Sequence, residues 1–380
     1  MALNTLPNAG LTSRGYPSDR LVTPLIINGD MSVAQRGTSA TGLTNGSSGF
    51  HTVDRFRYSE AGAPSSQITM TQDTNVPTGQ GFVTAMKFDV TTAQGSMSAA
   101  DRVTFDQKIE AQNLQLLKYG TSNAEKLTLC FWVKATKTGT YVVWIYSPDG
   151  NRSVAKQYTM SASDTWEKKT INIPADTAGT INNDIGEGFR VSWFIAAGSN
   201  FTSGTLASSW ESHTAANTAV GQVNATDSTS NNWHITGIQL EVGEFDSTSI
   251  PSFPFESFEN NLSKCQRYYL HYLSGNNKLV GSGIAYSSNQ ANVPIHFPTT
   301  MRTSPSLDAD TGTAYYRVLG SNSSGNGYVD DFNAFVIDRA HENATGLFIN
   351  TSDGFSGTGG GGFYMVTENS SASIAFDAEI

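Results

Sequence analysis

Among the chain's carboxylates, Asp54, Glu187 and Glu211 are candidates for acid–base chemistry. A glycosidase needs two such groups facing each other across a cleft at roughly 5–10 Å. Nothing in the spacing of these three singles out a pair. The six histidines, His51, His213, His234, His271, His296 and His341, form no HxxxH or HExxH pattern, so zinc-hydrolase chemistry has no footing. There is no GxSxG elbow. The run Gly357–Gly362 matches GxGxxG, but no helical pattern follows and only 18 residues remain, so it reads as a flexible tip loop. The expectation is a chain without catalytic residues, cofactor or metal.

Aromatic residues offer a different chemistry, the stacking of sugar rings on flat faces, with Asn, Asp and Gln as hydrogen-bonding partners. In the strand pattern Tyr141–Ser147, Tyr141, Val143 and Ile145 share one face and Val142, Trp144 and Tyr146 the other. The first set reads as core. Trp144 and Tyr146 then stand outward as glycan-binding candidates, or pack beneath a long loop or a neighbouring subunit, since a bare Trp–Tyr pair is costly in water. Trp210, in the irregular stretch Gly198–Asn232, is a third glycan candidate, with loop anchoring favoured. Trp132 and Trp193 lie mid-strand and read as core.

The elements that must position these groups are mostly strands. Alternating segments at Gln67–Thr71, Phe82–Val90, Val103–Phe105, Leu127–Lys134, Tyr141–Ser147, Lys168–Ile173, Arg190–Ile195 and Trp233–Glu241 are separated by turn signals such as Pro148-Asp149-Gly150-Asn151. A short helix is expected near Gln107–Tyr119. Eight strands with Gly-rich turns and no βαβ alternation predict an all-β fold, a jelly-roll β-sandwich over residues 25–250. A connecting helix (251–274) and a smaller C-terminal β domain (275–380) follow, with alternation at Val293, Ile295 and Phe297 and at Ile374, Phe376 and Ala378.

The one strongly helical pattern holds Phe258, Leu262, Cys265, Tyr269 and Tyr272 at spacings of four, three, four and three, resembling a and d positions of a coiled coil. Two heptads are too short to hold strands together alone. The stripe is expected to serve as a hinge or as the interface of a small oligomer. Residues 1–24, with Pro7, Gly10, Pro17 and Pro24, read as an extended arm. It is either a disordered terminus or a peg that lies against a partner protein through Leu3, Leu6, Leu11 and Tyr16, which are more apolar than a free tail needs.

Composition narrows the partners. Only 15% of the 380 residues are charged, well below the roughly 25% norm, and the net charge is −10. No basic run exists, which argues against nucleic acid and anionic membranes. No apolar run approaches a membrane span. The two cysteines, Cys130 and Cys265, read as buried free thiols. The first residues lack the basic and apolar regions of a signal peptide, so synthesis and folding in a cytoplasm are expected.

Two regions resemble tailed-bacteriophage virion proteins, mostly tail fibres and spikes. Ile27-Asn28-Gly29-Asp30-Met31-Ser32-Val33-Ala34-Gln35-Arg36-Gly37, followed by Val53-Asp54-Arg55-Phe56, is similar to their opening motif. Gly221-Gln222-Val223-Asn224 and Trp233-His234-Ile235-Thr236-Gly237-Ile238-Gln239-Leu240-Glu241-Val242-Gly243 lead into Pro254-Phe255-Glu256 and Cys265-Gln266-Arg267-Tyr268-Tyr269 in the same way. Phe297-Pro298-Thr299-Thr300-Met301-Arg302-Thr303-Ser304-Pro305 is similar to their C-terminal domain. The ordered series spans about residues 25–310.

The resemblance implies a carbohydrate-binding-module-like jelly roll and a C-terminal unit that forms a homotrimer. It also implies a virion location, contacts with other tail or capsid proteins, and contact with host surface glycans. Many carbohydrate modules bind a structural calcium through a Glu and an Asp; the matching positions here are Ser32 and Thr236, with Asp30 and Glu241 the remaining carboxylates nearby in the motifs. The leading expectation is a trimeric, non-catalytic fibre or spike that touches glycans. A capsid or tail decoration protein without glycan binding is the alternative, and a soluble carbohydrate-active enzyme or free module the third.

Overall fold

The computed structural model describes residues 24–287, 290–321, 326–349 and 361–380. The anchor candidates Leu3, Leu6, Leu11 and Tyr16, and the run Gly357–Gly360, lie outside the described residues. These divide into two compact units, one ending at Asn261 and including Ile380, the other spanning Leu262–Glu379.

The first unit is a jelly-roll β-sandwich of two six-stranded antiparallel sheets. Its strands are β1 (Ser39–Leu43), β2 (Phe56–Ala61), β3 (Gln67–Asp73), β4 (Ala85–Thr92), β5 (Arg102–Glu110) and β6 (Leu127–Ala135). They continue with β7 (Gly139–Ser147), β8 (Arg152–Met160), β9 (Glu167–Ile173), β10 (Glu187–Ala197), β11 (Glu211–Ser212) and β12 (Asn232–Val242). The first sheet has the order β1-β3-β4-β12-β6-β9 and the second β11-β8-β7-β10-β5-β2. All eight predicted strands are present. β1, β2, β8 and β11 carry weaker alternation and are added by pairing.

Period-two patterning explains the core. Leu127, Leu129, Phe131 and Val133 of β6 meet Tyr141, Val143 and Ile145 of β7 in one cluster with Phe88, Phe105, Trp193 and Trp233. Phe88 and Phe105 meet edge-on with centroids 5.3 Å apart, and Trp233 contacts both at 5.7 and 6.0 Å. Each such pair adds about 1 kcal/mol beyond area burial. The helix expected at Gln107–Tyr119 is a 3-10 helix confined to Ala111–Leu117. Gln107 and Lys108 are claimed by β5, where they pair with Val191 and Arg190 of β10; sheet pairing overrides local helical preference.

The opening motif is a plug seated on β12. Asn28 Nδ2 donates to the carbonyls of Val33 and Asp54, while Val33 N–H donates back to Asn28 Oδ1 at 3.0 Å. Ile238 N–H donates to Gly29 O at 2.9 Å, at a bulge between Thr236 and Gln239. A Cβ on Gly29 would stand 2.1 Å from Ile238 O, so only glycine fits there. The two sequence motifs are thus the two halves of one contact.

The second unit holds a three-stranded sheet of β13 (Tyr269–Ser274), β16 (Ser306–Ala309) and β22 (Ser373–Asp377), with β22 in the middle. Its other sheet comprises β14 (Leu279–Ser287), β15 (Gln290–His296), β17 (Tyr316–Ser321), β18 (Gly327–Phe332), β19 (Phe335–His341), β20 (Ala344–Ile349) and β21 (Gly362–Thr367). The order is β18-β17-β21-β14-β15-β20-β19. Val293, Ile295, Ile374 and Phe376 lie in its core, as their alternation predicts.

The connecting helix is shorter than expected. It spans only Phe258–Gln266, so the two-heptad stripe does not exist as one surface. Tyr269 and Tyr272 lie on β13, where Tyr269 stands opposite Asp377 of β22. Aromatic residues fit a pleated strand, and the free edge of β22 offers hydrogen bonds that a lengthened helix would forfeit. Cys265 and Tyr269 are buried, Leu262 and Tyr272 are half-buried, and only Phe258, at 54% exposure, stays open. As an oligomer interface the stripe is therefore corrected: burial within the chain has already used most of it.

Candidate functional site: two outer faces of the sandwich

Each sheet turns one face to the core and one outward, so any binding site on the sandwich must be built from outward residues, loops or both. On the first sheet, β6 sends Cys130, Trp132 and Lys134 outward, because their neighbours Leu129, Phe131 and Val133 face the core. Trp132 stands opposite Lys168 of β9 and Thr236 of β12, and Lys134 opposite His234 of β12. His234 in turn faces Lys87 of β4. Trp166, just before β9, falls one step beyond this register, beside Lys134.

Trp132 and Trp166 are both half-exposed. They are diagonal neighbours across an antiparallel pair, a spacing of roughly 7–8 Å at the backbone. The Lys134 ammonium lies 5.7 Å from the centre of the Trp166 ring, a cation–π contact. Trp166 meets His234 at 6.0 Å and 69°, and its indole N–H donates to Asn75 Oδ1 at 3.1 Å. His234 Nε2 bonds Asp73 Oδ2 at 3.3 Å, which requires that nitrogen to carry the proton. Burial first, then the Lys134 charge, pulls the His234 imidazole down to about 4, against the opposing pull of Asp73. At neutral pH this is a rigid aromatic rim over a neutral histidine and a buried ammonium.

The outer face of the second sheet is divided. One part is roofed by residues 198–231. Val142, Trp144, Ala155 and Phe194 form a small cluster there with Ala207 and Ala219, joined by Phe201 and Leu206. Trp144 is 4% exposed, so the candidate glycan platform is a roofed core residue; this is the loop-packed alternative of the alternation argument. Tyr146 remains half-exposed, stacked on Trp144 at 5.3 Å and 16°, with His213 against its edge at 5.1 Å. Its hydroxyl donates to Asn151 Oδ1 at 3.1 Å.

Trp210 is a loop anchor. It is 9% exposed, stacks on Phe189 at 5.6 Å, and donates its indole N–H to Pro174 O at 2.8 Å. No face of it is left for a sugar.

The same face also carries charge. Across β7, β10, β5 and β2 one row reads Trp144, Ser192, Asp106, Arg57, and the next reads Tyr146, Arg190, Lys108. Glu187 accepts two hydrogen bonds from Arg190 at 2.8 and 3.0 Å and pairs with Lys108 at 3.0 Å. Burial lowers the Lys108 ammonium, with Glu187 opposing. Arg102 stacks over Phe201 at 5.2 Å.

The three candidate carboxylates do not form a catalytic pair. Asp54 is buried under Gln35, whose backbone and side-chain N–H groups donate to it, and burial raises its carboxyl. Glu187 is held in its ion pairs. Glu211 lies on β11, three strands from Glu187 in sheet order, a separation of about 14 Å at 4.8 Å per strand. That exceeds the reach of a two-carboxylate glycosidase.

Near the opening motif, three oxygens converge on one amide. Asn261 Nδ2 lies 3.2 Å from Asn28 Oδ1, 3.1 Å from Asp30 Oδ1 and 2.9 Å from Ser32 Oγ. Thr236 Oγ1 donates to Thr84 O at 2.8 Å and lies 3.4 Å from Asp30 O. Among the described residues no group of three or more His, Cys, Asp or Glu is placed to hold a metal.

Sequence reasoning read Trp132 as core, which its outward, half-exposed place corrects, and did not single out Trp166. The signal for Trp132 was its parity with Lys134 in Leu127–Lys134, which puts it on the non-core side. For Trp166 no local signal existed, because its place depends on the register of β9 against β6.

No family model matches the chain, and no curated protein matches it. Among solved structures it is similar to the enzymatically active domain of tailspike protein 4 of bacteriophage CBA120 (14% identity, TM-score 0.30). That match covers 58% of this chain, which spans only 21% of the tailspike chain. It is also similar to the tandem CBM22 domains of Paenibacillus barcinonensis Xyn10C (10% identity, TM-score 0.28, covering 96% of this chain and 100% of that one). A third is the family 11 carbohydrate-binding module of Clostridium thermocellum in complex with a mixed-linked tetrasaccharide (10% identity, TM-score 0.27, covering 55% and 98%). Likeness at this level assigns neither family nor ligand.

Proposed function

We propose that this protein binds glycans without cleaving them, as a component of a tailed-bacteriophage particle. The observation that carries glycan binding is the pair of half-exposed indoles, Trp132 and Trp166, set diagonally on one sheet face and backed by Lys134 and His234. Flat rings held rigid by neighbours lose little entropy on binding and suit stacking against sugar rings. The virion setting rests on the ordered motifs from Ile27 to Pro305. The test is a glycan array with the intact chain and Trp132→Ala. Signal lost in the variant at unchanged melting temperature supports the reading; signal retained, or none from either protein, sinks it in favour of a decoration protein without glycan binding.

Assembly as a homotrimer is the second part of the proposal, with its surface moved off the helix stripe. Leu279, Ile284, Tyr286, Val329 and Tyr364 are exposed on the second unit. Register places them on one outer face of β18-β17-β21-β14, where Tyr364 stands opposite both Leu319 and Ser282, and Leu319 opposite Val329. Arg317, on the same face, is neutralised by Asp331 and Glu368 at 2.6 and 2.9 Å. A flat apolar face with its charges already paired suits another copy of itself. Light scattering of the purified chain tests it: a trimer mass supports the reading and a monomer overturns it.

A further inference from the structure

The larger sheet of the second unit carries a hollow of about 260 Å³ on the outer face of β15, β20 and β19. Val293 and Ile295 of β15 and Leu347 and Ile349 of β20 enter the core, so Pro294 and Gly346 face outward. One cross-strand row reads Pro294, Gly346, Asp338, and the next reads His296, Ala344, His341. The middle strand thus offers only a hydrogen and a methyl as floor, between walls about 10 Å apart, two strand spacings. These walls are reachable from solvent. Pro294, Arg339 and His341 are exposed, and Asn292 and Asp338 are half-exposed.

A β-bulge aims the β19 wall. The register shifts between Asp338 and His341, and Arg339 takes a left-handed φ of 49°. In an unbroken strand Asp338 and His341, three positions apart, would face opposite sides of the sheet. Here both line the hollow, together with Arg339. A non-glycine residue persists in that conformation only where its surroundings fix it. The hairpin tip that follows is pinned by Phe297 N–H to Asn343 O at 2.9 Å, Met301 N–H to Glu342 O at 2.8 Å and Thr300 Oγ1 to Asn343 Oδ1 at 2.8 Å. All three donors belong to the motif at residues 297–305, whose fold role is therefore to hold one wall of the hollow.

The polar groups differ in kind. The Asp338 carboxylate is met by the Arg339 guanidinium at 3.7 Å, beyond hydrogen-bond length, so its acceptor capacity is open. Asn343 N–H donates to His341 Nδ1 at 3.3 Å, which leaves Nε2 to carry the proton and donate. Arg339, with its side chain 90% exposed, adds further donors. An acceptor flanked by donors, beside the apolar ring of Pro294, matches hydroxyl groups, which donate and accept at once. An anion would be set against Asp338. The volume falls below the roughly 300–1,000 Å³ of pockets for drug-sized ligands, so one ring fits and a chain does not.

We propose that this hollow binds a single neutral hexose ring, the terminal residue of a glycan. Asp338 accepts from its hydroxyls, Arg339 and His341 donate to them, and the ring lies over Gly346 against Pro294. The site goes beyond the Trp132–Trp166 face, which belongs to the other unit and works by stacking.

The experiment is titration of the intact chain with the methyl glycosides of glucose, galactose and mannose, and with methyl glucuronide. Saturation-transfer NMR reads binding, and tryptophan emission reads its place. All six tryptophans precede Asn261, so a sugar in the hollow leaves the emission unchanged, whereas one at Trp132 shifts it. The variants are Asp338→Asn, Gly346→Val and Trp132→Ala. A Cβ on Gly346 meets nothing nearer than Asp338 O at 3.4 Å, so valine fills the hollow and keeps the strand. Should its melting temperature fall, Asp338→Asn decides alone. The expected result is binding of at least one neutral hexoside with unchanged emission. It weakens at least tenfold in Asp338→Asn and Gly346→Val and stays the same in Trp132→Ala. No neutral hexoside bound, binding that Asp338→Asn and Gly346→Val both retain, or methyl glucuronide bound as tightly or more tightly overturns the proposal. Binding that shifts the emission and is lost only in Trp132→Ala overturns it while leaving the first site standing.

Discussion

Asn261 Nδ2 lies 3.1 Å from Asp30 Oδ1, joining the turn that opens the sandwich to the start of the helix 231 residues later. The amide supplies one nitrogen to three oxygens, those of Asn28, Asp30 and Ser32, and is itself buried.

Replacing that amide tests how far the plug depends on it. Asn261→Ala removes a donor shared by one buried and two half-buried residues, Asn28, Asp30 and Ser32, and should cost about 1–3 kcal/mol. Asn261→Asp replaces the donor with a carboxylate beside Asp30 and should cost more. Urea unfolding midpoints check both. Equal stability of wild type and Asn261→Asp would mean that the plug does not depend on this amide.

Gly29→Ala places a methyl 2.1 Å from Ile238 O. The backbone must separate there, breaking the bond from Ile238 N–H to Gly29 O. The expected loss is on the order of 3 kcal/mol or more, read as a drop in melting temperature. An alanine variant as stable as wild type would show that the plug can shift without cost.

The protein should lose stability as pH falls from about 6.5 to about 4 through His234. Its folded value near 4 lies below the ordinary 6.5, so the unfolded chain binds the proton more readily. The contribution is complete above 6.5, and up to about 3 kcal/mol is lost by pH 4. Comparing wild type with His234→Gln at pH 7, 5.5 and 4.5 isolates it. If the two curves stay parallel, the histidine is not held neutral by its surroundings.

Trp144→Ala should behave as a core mutation. The ring is roofed by residues 198–231 and stacked on Tyr146, so removing it should cost about 3–5 kcal/mol. Calorimetry checks the cost. A variant that loses glycan binding but keeps its melting temperature would return Trp144 to the role of sugar platform.

Ile284→Asp should convert an assembly to monomers without unfolding it, because the side chain is 69% exposed. Light scattering gives the mass and circular dichroism the fold. A trimer that survives the substitution would place the interface elsewhere.

Alternation determined which β7 residues enter the core, because the period of a strand is independent of its partner; on β6, Trp132 reads as core from its mid-strand place but stands outward and half-exposed. Three things were decided only by tertiary structure. Tyr269 and Tyr272 left the helical pattern because the edge of β22 was there to pair with them. Trp144 was closed because a loop some 60 residues away in sequence folded over it. The row Trp144-Ser192-Asp106-Arg57 exists because the register of four strands, separated by up to 135 positions along the chain, brings one residue from each onto a single line. Local propensity is written residue by residue, whereas pairing and coverage depend on which distant surfaces meet, and no window of sequence contains both partners.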